Sequence, residues 1–143
     1  MKIAIDSSVI VAALNGADPD HQDCHKILVA GRNSIHSHAL SETFSTLTGG
    51  RIGIRIPPGQ AALILRNQVA PRLDVVLLTE IDLLNACAET ELRGIRGGAI
   101  YDYLHLVAAR KVGAARFYTL NMNDFKSFHR PGDPEIAHPS TES

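Results

Sequence analysis

The chain has 143 residues, 45% of them hydrophobic and 20% charged, with a formal net charge of −1. That length and balance fit one folded domain with a real core and exclude wholesale disorder. They give no sign of a broadly basic nucleic-acid binder, although a local basic patch remains open because steering depends on how charge is distributed. Cys24 and Cys87 stand in no metal-ligand spacing and read as buried small hydrophobes in a reducing compartment. Asp6 interrupts the N-terminal apolar run, and nothing approaches the roughly 18 apolar residues of a membrane span. The chain therefore reads as cytoplasmic, with neither a signal peptide nor a membrane anchor.

Residues 2–5 form an uninterrupted apolar strand of the kind buried on both faces. Ser7 or Ser8 can cap a helix over 9–15, which Asn15-Gly16 ends. A second helix follows Pro19-Asp20 and runs to Gly31, and residues 34–37 form a second strand. Leu40, Phe44 and Leu47 recur at helical spacing over 38–47, and Gly49-Gly50 stops that helix. Pro57-Pro58 opens a helix through about residue 69, since proline suits a first turn.

Residues 73–78 form a third buried strand. Thr79 with Asp82 predicts a capped helix ending near Gly94. Gly97-Gly98 precedes a helix over 101–111, residues 116–120 form a fourth strand, and 135–137 an edge strand. Strands alternating with helices imply an α/β fold, a mostly parallel sheet of four to five strands flanked by helices. One domain is expected over 1–138, with a polar tail over 139–143.

Ligands of open α/β sheets gather outside the carboxyl ends of the strands. Asp6 lies at one such end, and Thr119 at another, followed by Asn121, Asn123 and Asp124 in TLNMNDF. Glu42 shares a small, hydroxylic helix face with Ser45 and Thr46, without a Lys or Arg partner. Asp102 sits in the first turn of a strongly apolar helix, and His105 follows on the same side. Each residue also has an ordinary reading: Asp6 as a cap, Asp124 in a turn, Glu42 in solvent, Asp102 complementing the helix dipole, His105 as structural.

Taken together, four carboxylates constrain the chemistry. Two of them about 4 Å apart repel by about 4 kcal/mol at an effective dielectric of about 20, so a cluster takes up protons or binds a cation. Oxygen donors favour Mg²⁺ or Mn²⁺ over zinc.

Four segments in order, IAIDSSVIVAAL, SHALSETFSTL, GGAIYDYLHLVAARKVGA and FYTLNMNDF, make the chain resemble the PIN-domain family. The resemblance is nearest to the VapC-type toxin ribonucleases of toxin–antitoxin pairs. It implies an acidic pocket binding Mg²⁺, with Mn²⁺ as a substitute, and metal-dependent hydrolysis of RNA, commonly tRNA or ribosomal RNA. By family, Asp6, Glu42 and Asp102 match three acidic positions, and Asp124 is assigned as the fourth, with Asp6, Asp102 and Asp124 holding metal. Relatives often carry Asp where this chain has Asn121, which leaves the second metal open and makes Asn121 a metal-water or hydrogen-bond partner.

Ser8 and Thr119 match the family's polar positions beside the metal. Arg51, Arg55, Arg93 and Arg96 flank the acidic segments as RNA phosphate contacts, or as ordinary surface charge, and His105 is a further substrate contact. A VapB-like antitoxin and a homodimer are family expectations. A phosphoaspartyl hydrolase would carry a second Asp where Ser8 stands, and a receiver domain would carry an acidic pair where Asp6 stands alone. The alternative is a catalytically weak PIN-like module that binds RNA or a partner without cutting.

Overall fold

The structure, a computed structural model, describes residues 1–142. Five strands, β1 (Ile3–Ile5), β2 (Asn33–His36), β3 (Leu73–Val76), β4 (Arg116–Tyr118) and β5 (Glu135–Ala137), form one sheet. Its order is β3-β2-β1-β4-β5, and every pairing is parallel. The sheet therefore reverses direction of travel around β1, which puts the carboxyl ends of β1 and β4 side by side at a topological switch point.

Seven helices cover the two faces: α1 (Ser7–Leu14), α2 (His21–Ala30), α3 (His38–Gly49), α4 (Pro58–Ile64), α5 (Glu80–Arg93), α6 (Ala99–Lys111) and α7 (Met122–Phe128). Strand alternation divides the core in two. Ile5, Ile35 and Tyr118 pack with Val9, Ile10, Cys24 and Leu28 on the α1–α2 side. Ala4 and Phe117 pack with Tyr103, Leu106, Phe125 and Phe128 on the α6–α7 side.

Local chemistry explains most boundaries. Thr79 and Asp82 exchange bonds with each other's backbone amides at 3.1 and 2.9 Å, the reciprocal cap of α5. Gly50 ends α3 with φ 78°, a left-handed turn that costs glycine nothing. The cap of α1 is a correction to expectation: Asp6, not Ser7 or Ser8, holds that position, its Oδ1 accepting from the Ser8 amide at 3.1 Å. A side-chain oxygen one residue before the helix reaches that amide, and the serines lie inside the first turn.

The helix expected through residue 69 ends at Ile64, widens into a π-turn over Leu65–Val69 and closes in a 3₁₀ turn over Ala70–Arg72. Pro71 has no N–H to extend the ladder. β3 is an edge strand, with Val75 41% exposed, and Cys87 is exposed rather than buried. Residues of the expected polar tail form a 3₁₀ turn, Pro139–Glu142, against α2. Among the described residues no helix is long and apolar enough to cross a membrane.

Candidate active site

β1 and β4 are stitched together at their carboxyl ends by a chain of hydrogen bonds centred on Asp6, which is 6% exposed. Ser8 donates from both its amide and its hydroxyl to Asp6 Oδ1, at 3.1 and 2.5 Å. The buried Thr119 hydroxyl donates to Asp6 Oδ2 at 2.7 Å. The Leu120 amide donates to Ser8 Oγ at 3.1 Å, and the Asn121 amide to Thr119 Oγ1 at 2.9 Å. Asp6 is thus both a helix cap and a carboxylate held in one orientation. Burial pushes its carboxyl pKa up, although His105, Ser8 and Thr119 all favour the charged form.

Three further acids lie within electrostatic reach of one another and of Asp6. Asp102 enters from the first turn of α6, where the helix dipole favours negative charge. Its pKa is raised first by burial, then, against a lowering contribution from His105, by the charges of Asp6, Glu42 and Asp124. That mutual influence places all four acids in one electrostatic cluster. Asp124, expected in a turn, lies in the first turn of α7 and accepts from Asn121 Nδ2 at 2.9 Å. Glu42 points from α3 to His105, with His105 Nε2 2.7 Å from Glu42 Oε1. Burial works against ionising either partner, yet the bond and the surrounding charges prevail: Glu42 is shifted down and His105 up.

The donor set suits a hard divalent cation. It is all oxygen, and it carries more negative charge than His105 offsets. No three described His, Cys, Asp or Glu side chains close on one point. Mg²⁺ is commonly held by only a few carboxylates, directly or through bound water, and Asp6, Asp102 and Asp124 are the carboxylates available for that here. Zinc prefers nitrogen and sulfur donors, and the histidine nearest the cluster, His105, already bonds Glu42 through Nε2.

This geometry has relatives. The PIN domain family model matches residues 3–130. The chain belongs to the PIN-domain family. Within it, a ribonuclease of Mycobacterium tuberculosis, VapC27, is 32% identical over 107 residues, covering 75% of this chain and 76% of that protein. The fold matches that of M. tuberculosis VapC20, a toxin that cleaves the sarcin–ricin loop, with TM-score 0.68 at 20% identity over 93% of this chain and all of that one. It also matches VapBC2 of Rickettsia felis, solved on a promoter DNA fragment, with TM-score 0.67 at 18% identity over 96% and 98% of the two chains.

The residues flanking the acids in this PIN domain separate into different groups. Arg51 is exposed and lines a pocket of about 350 Å³ with Ser7, His38, Ser41, Glu42, Ser45 and Thr46. Arg55 is exposed beside Gly50, and Arg96 lines a separate pocket with Thr90 and Glu91. Arg93 is corrected: its guanidinium is turned inward, bonded to Asp133 at 2.5 Å and to the Phe128 carbonyl at 3.2 Å. His105 is also corrected, because at 3% exposure it faces Glu42 and not the solvent.

Sequence reasoning passed over His36, His38 and Tyr101. His36 and His38 precede Glu42 on its own segment, and Tyr101 precedes Asp102 directly, so adjacency to the acids was the available signal. A cleft of about 750 Å³ between α1, α2 and residues 67–72 shares no residue with the acidic cluster.

Proposed function

We propose that this PIN domain is a metal-dependent endoribonuclease, the toxin of a VapBC-type toxin–antitoxin pair, cutting structured RNA such as tRNA or ribosomal RNA. The reading is supported by the mutual electrostatic influence of Asp6, Glu42, Asp102 and Asp124, with Asp6 anchored by Thr119 at the carboxyl ends of β1 and β4. Asp6, Asp102 and Asp124 would hold Mg²⁺, with Mn²⁺ as a substitute. When bound there, such an ion would supply Lewis-acid polarisation of the phosphoryl group, a more acidic water and charge compensation in the transition state.

The chain's own residues supply the rest. Ser8 and Thr119 fix the Asp6 carboxylate so that no reorganisation is needed at the moment of reaction. Asp102 or Asp124, as an ionised carboxylate, would orient the attacking water or take its proton. His105 holds Glu42 in place. Hydrolysis in this manner leaves a 5′-phosphate and a 3′-hydroxyl.

The likeness of fold to a toxin–antitoxin complex from Klebsiella pneumoniae, with TM-score 0.66 at 14% identity, supports an antitoxin partner. A cytoplasmic homodimer inhibited by a small VapB-like protein is the matching assembly. The decisive experiment incubates the purified, antitoxin-free chain with total tRNA and ribosomal RNA in Mg²⁺ or Mn²⁺. Discrete single-strand cuts that EDTA and Asp102→Ala both abolish are expected; cutting that survives Asp102→Ala overturns the assignment. Expression of the intact chain should also arrest growth, with rescue by the protein encoded in a short neighbouring reading frame.

A further inference from the structure

Two of the three tyrosines, Tyr103 and Tyr118, are completely buried, but Tyr101 is 59% exposed. A ring left in water forgoes the stabilisation that its burial would supply. Among the described residues its ring partner is the exposed imidazole of His38, nearly parallel at 24° with centroids 6.1 Å apart. The pair is built from two of the elements that carry site acids. Tyr101 immediately precedes Asp102 on α6, and His38 opens α3 one turn before Glu42. His38 also lines the 350 Å³ pocket, whose other walls are hydroxyls, the Glu42 carboxylate and the Arg51 guanidinium.

We propose that His38 and Tyr101 form a stacking platform for an unpaired nucleobase next to the scissile phosphate, with Arg51 contacting an adjoining phosphate across the pocket. The inference rests on the ribonuclease reading of the acidic cluster and adds to it what selects the substrate. Proteins take hold of single-stranded RNA by stacking splayed bases on aromatic side chains, whereas a duplex keeps its base faces covered. The pocket's polar walls suit sugar, phosphate and base edges. A groove that docks a peptide helix would instead be lined by apolar anchors. The specificity implied is for a loop, a bulge or an end, fixed by one flipped-out base beside the cut.

The chain contains no tryptophan, so Tyr101→Trp places a single indole reporter on the platform of the full-length protein. With EDTA present, a single-stranded RNA of about 12 nucleotides should quench its emission, and the same sequence annealed into a duplex should not. In Mg²⁺, Tyr101→Ala should raise KM about 5- to 150-fold on a strand spanning a mapped cut, the equivalent of losing 1–3 kcal/mol of stacking. Its kcat should stay close to wild type, and Tyr101→Phe should restore KM.

An abasic nucleotide beside the cut should raise KM for the wild type and abolish the difference between it and Tyr101→Ala. Equal quenching by strand and duplex overturns the proposal, as does a Tyr101→Ala penalty that persists on the abasic strand. Quenching by neither RNA also overturns it and assigns the platform to a protein partner. A wild-type chain that cuts no RNA overturns the ribonuclease reading instead, and the quenching titration still judges the platform separately.

Discussion

His105 Nε2 lies 2.7 Å from Glu42 Oε1, an ion pair with its imidazole 3% exposed and its carboxylate only partly so. It ties α6 to α3 across the acidic cluster. His105 therefore acts as a positioning residue: removing it leaves Glu42 free to rotate and without its nearest positive charge. His105→Leu should lower kcat about 10- to 100-fold, the usual range for partners that orient a site's first ligands, and leave KM nearly unchanged. Because His105 holds the Glu42 carboxyl below its ordinary pKa, the acid limb of the pH–rate profile should move to higher pH in the variant. His105→Gln, which keeps a donor, should retain more activity. A profile that loses height without moving would reduce His105 to a packing residue.

Asp6→Asn separates the two roles of Asp6. The amide oxygen can still accept from the Ser8 amide, and the amide nitrogen can donate to Thr119 Oγ1, so the α1 cap and the β1–β4 junction survive. Thermal denaturation should show a change of only a few degrees, within about 1 kcal/mol. Metal binding should be lost in a Mn²⁺ calorimetric titration, and cleavage should fall at least about a hundredfold, as expected when several kcal/mol of charge stabilisation disappears. An Asp6→Asn protein that binds Mn²⁺ as tightly as wild type would remove Asp6 from the metal site.

The alternation of apolar runs with capped helices was enough to read the sheet, its parallel sense and the edge position of β5, because those features follow from local pattern and crossover rules. Helix α7 was not legible: Asn121, Asn123 and Asp124 are turn formers. What makes the segment helical is distant packing, Phe125 on Phe117 at 4.7 Å and Phe128 on Tyr103 at 6.2 Å. Asp102 stood out because a carboxylate in an apolar helix needs a reason. Arg93 misled for the converse reason, since an arginine near a glycine pair looks like surface charge until its partner 40 residues on is known.

That partner gives a stability prediction. Asp133, 2% exposed, is held by Arg93, by the Arg130 amide at 2.9 Å and by Arg110 at 3.4 Å. Tyr103 donates to Glu89 in the same network, and the Arg93 guanidinium sits 5.1 Å over the Tyr103 ring. Arg93→Ala should cost about 3 kcal/mol in urea unfolding, because it strips the main partner from a buried charge, while KM for RNA stays at the wild-type value. Burial opposes ionisation of Asp133, but Arg93 and the Arg130 amide bring its pKa below the ordinary value. Its contribution is accordingly complete above about pH 4 and is lost as pH falls through the lowered folded-state value. A weakened KM with unchanged stability would return Arg93 to the RNA-binding set.

His36 gives the opposite kind of histidine to His105. Its Nδ1 accepts from the His38 amide at 2.8 Å, so a proton placed there would break that bond, and its ring lies 5.6 Å from the His105 ring. Burial first, then the charges of His105 and His38, lower its pKa to about 4 against the pull of Glu42. A histidine kept neutral in the folded state but charged when unfolded stabilises the fold fully above about pH 6.5. That contribution fades by up to about 1.4 kcal/mol per pH unit as pH falls toward 4. His36→Asn keeps an acceptor for the His38 amide and removes the titration. The stability difference between wild type and His36→Asn, measured by urea unfolding at pH 7, 6 and 5, should therefore shift steadily against the wild type as pH falls. Taking the difference cancels the carboxylates common to both proteins, so a gap that stays constant over that range would mean His36 takes up its proton as readily in the fold as in the unfolded chain.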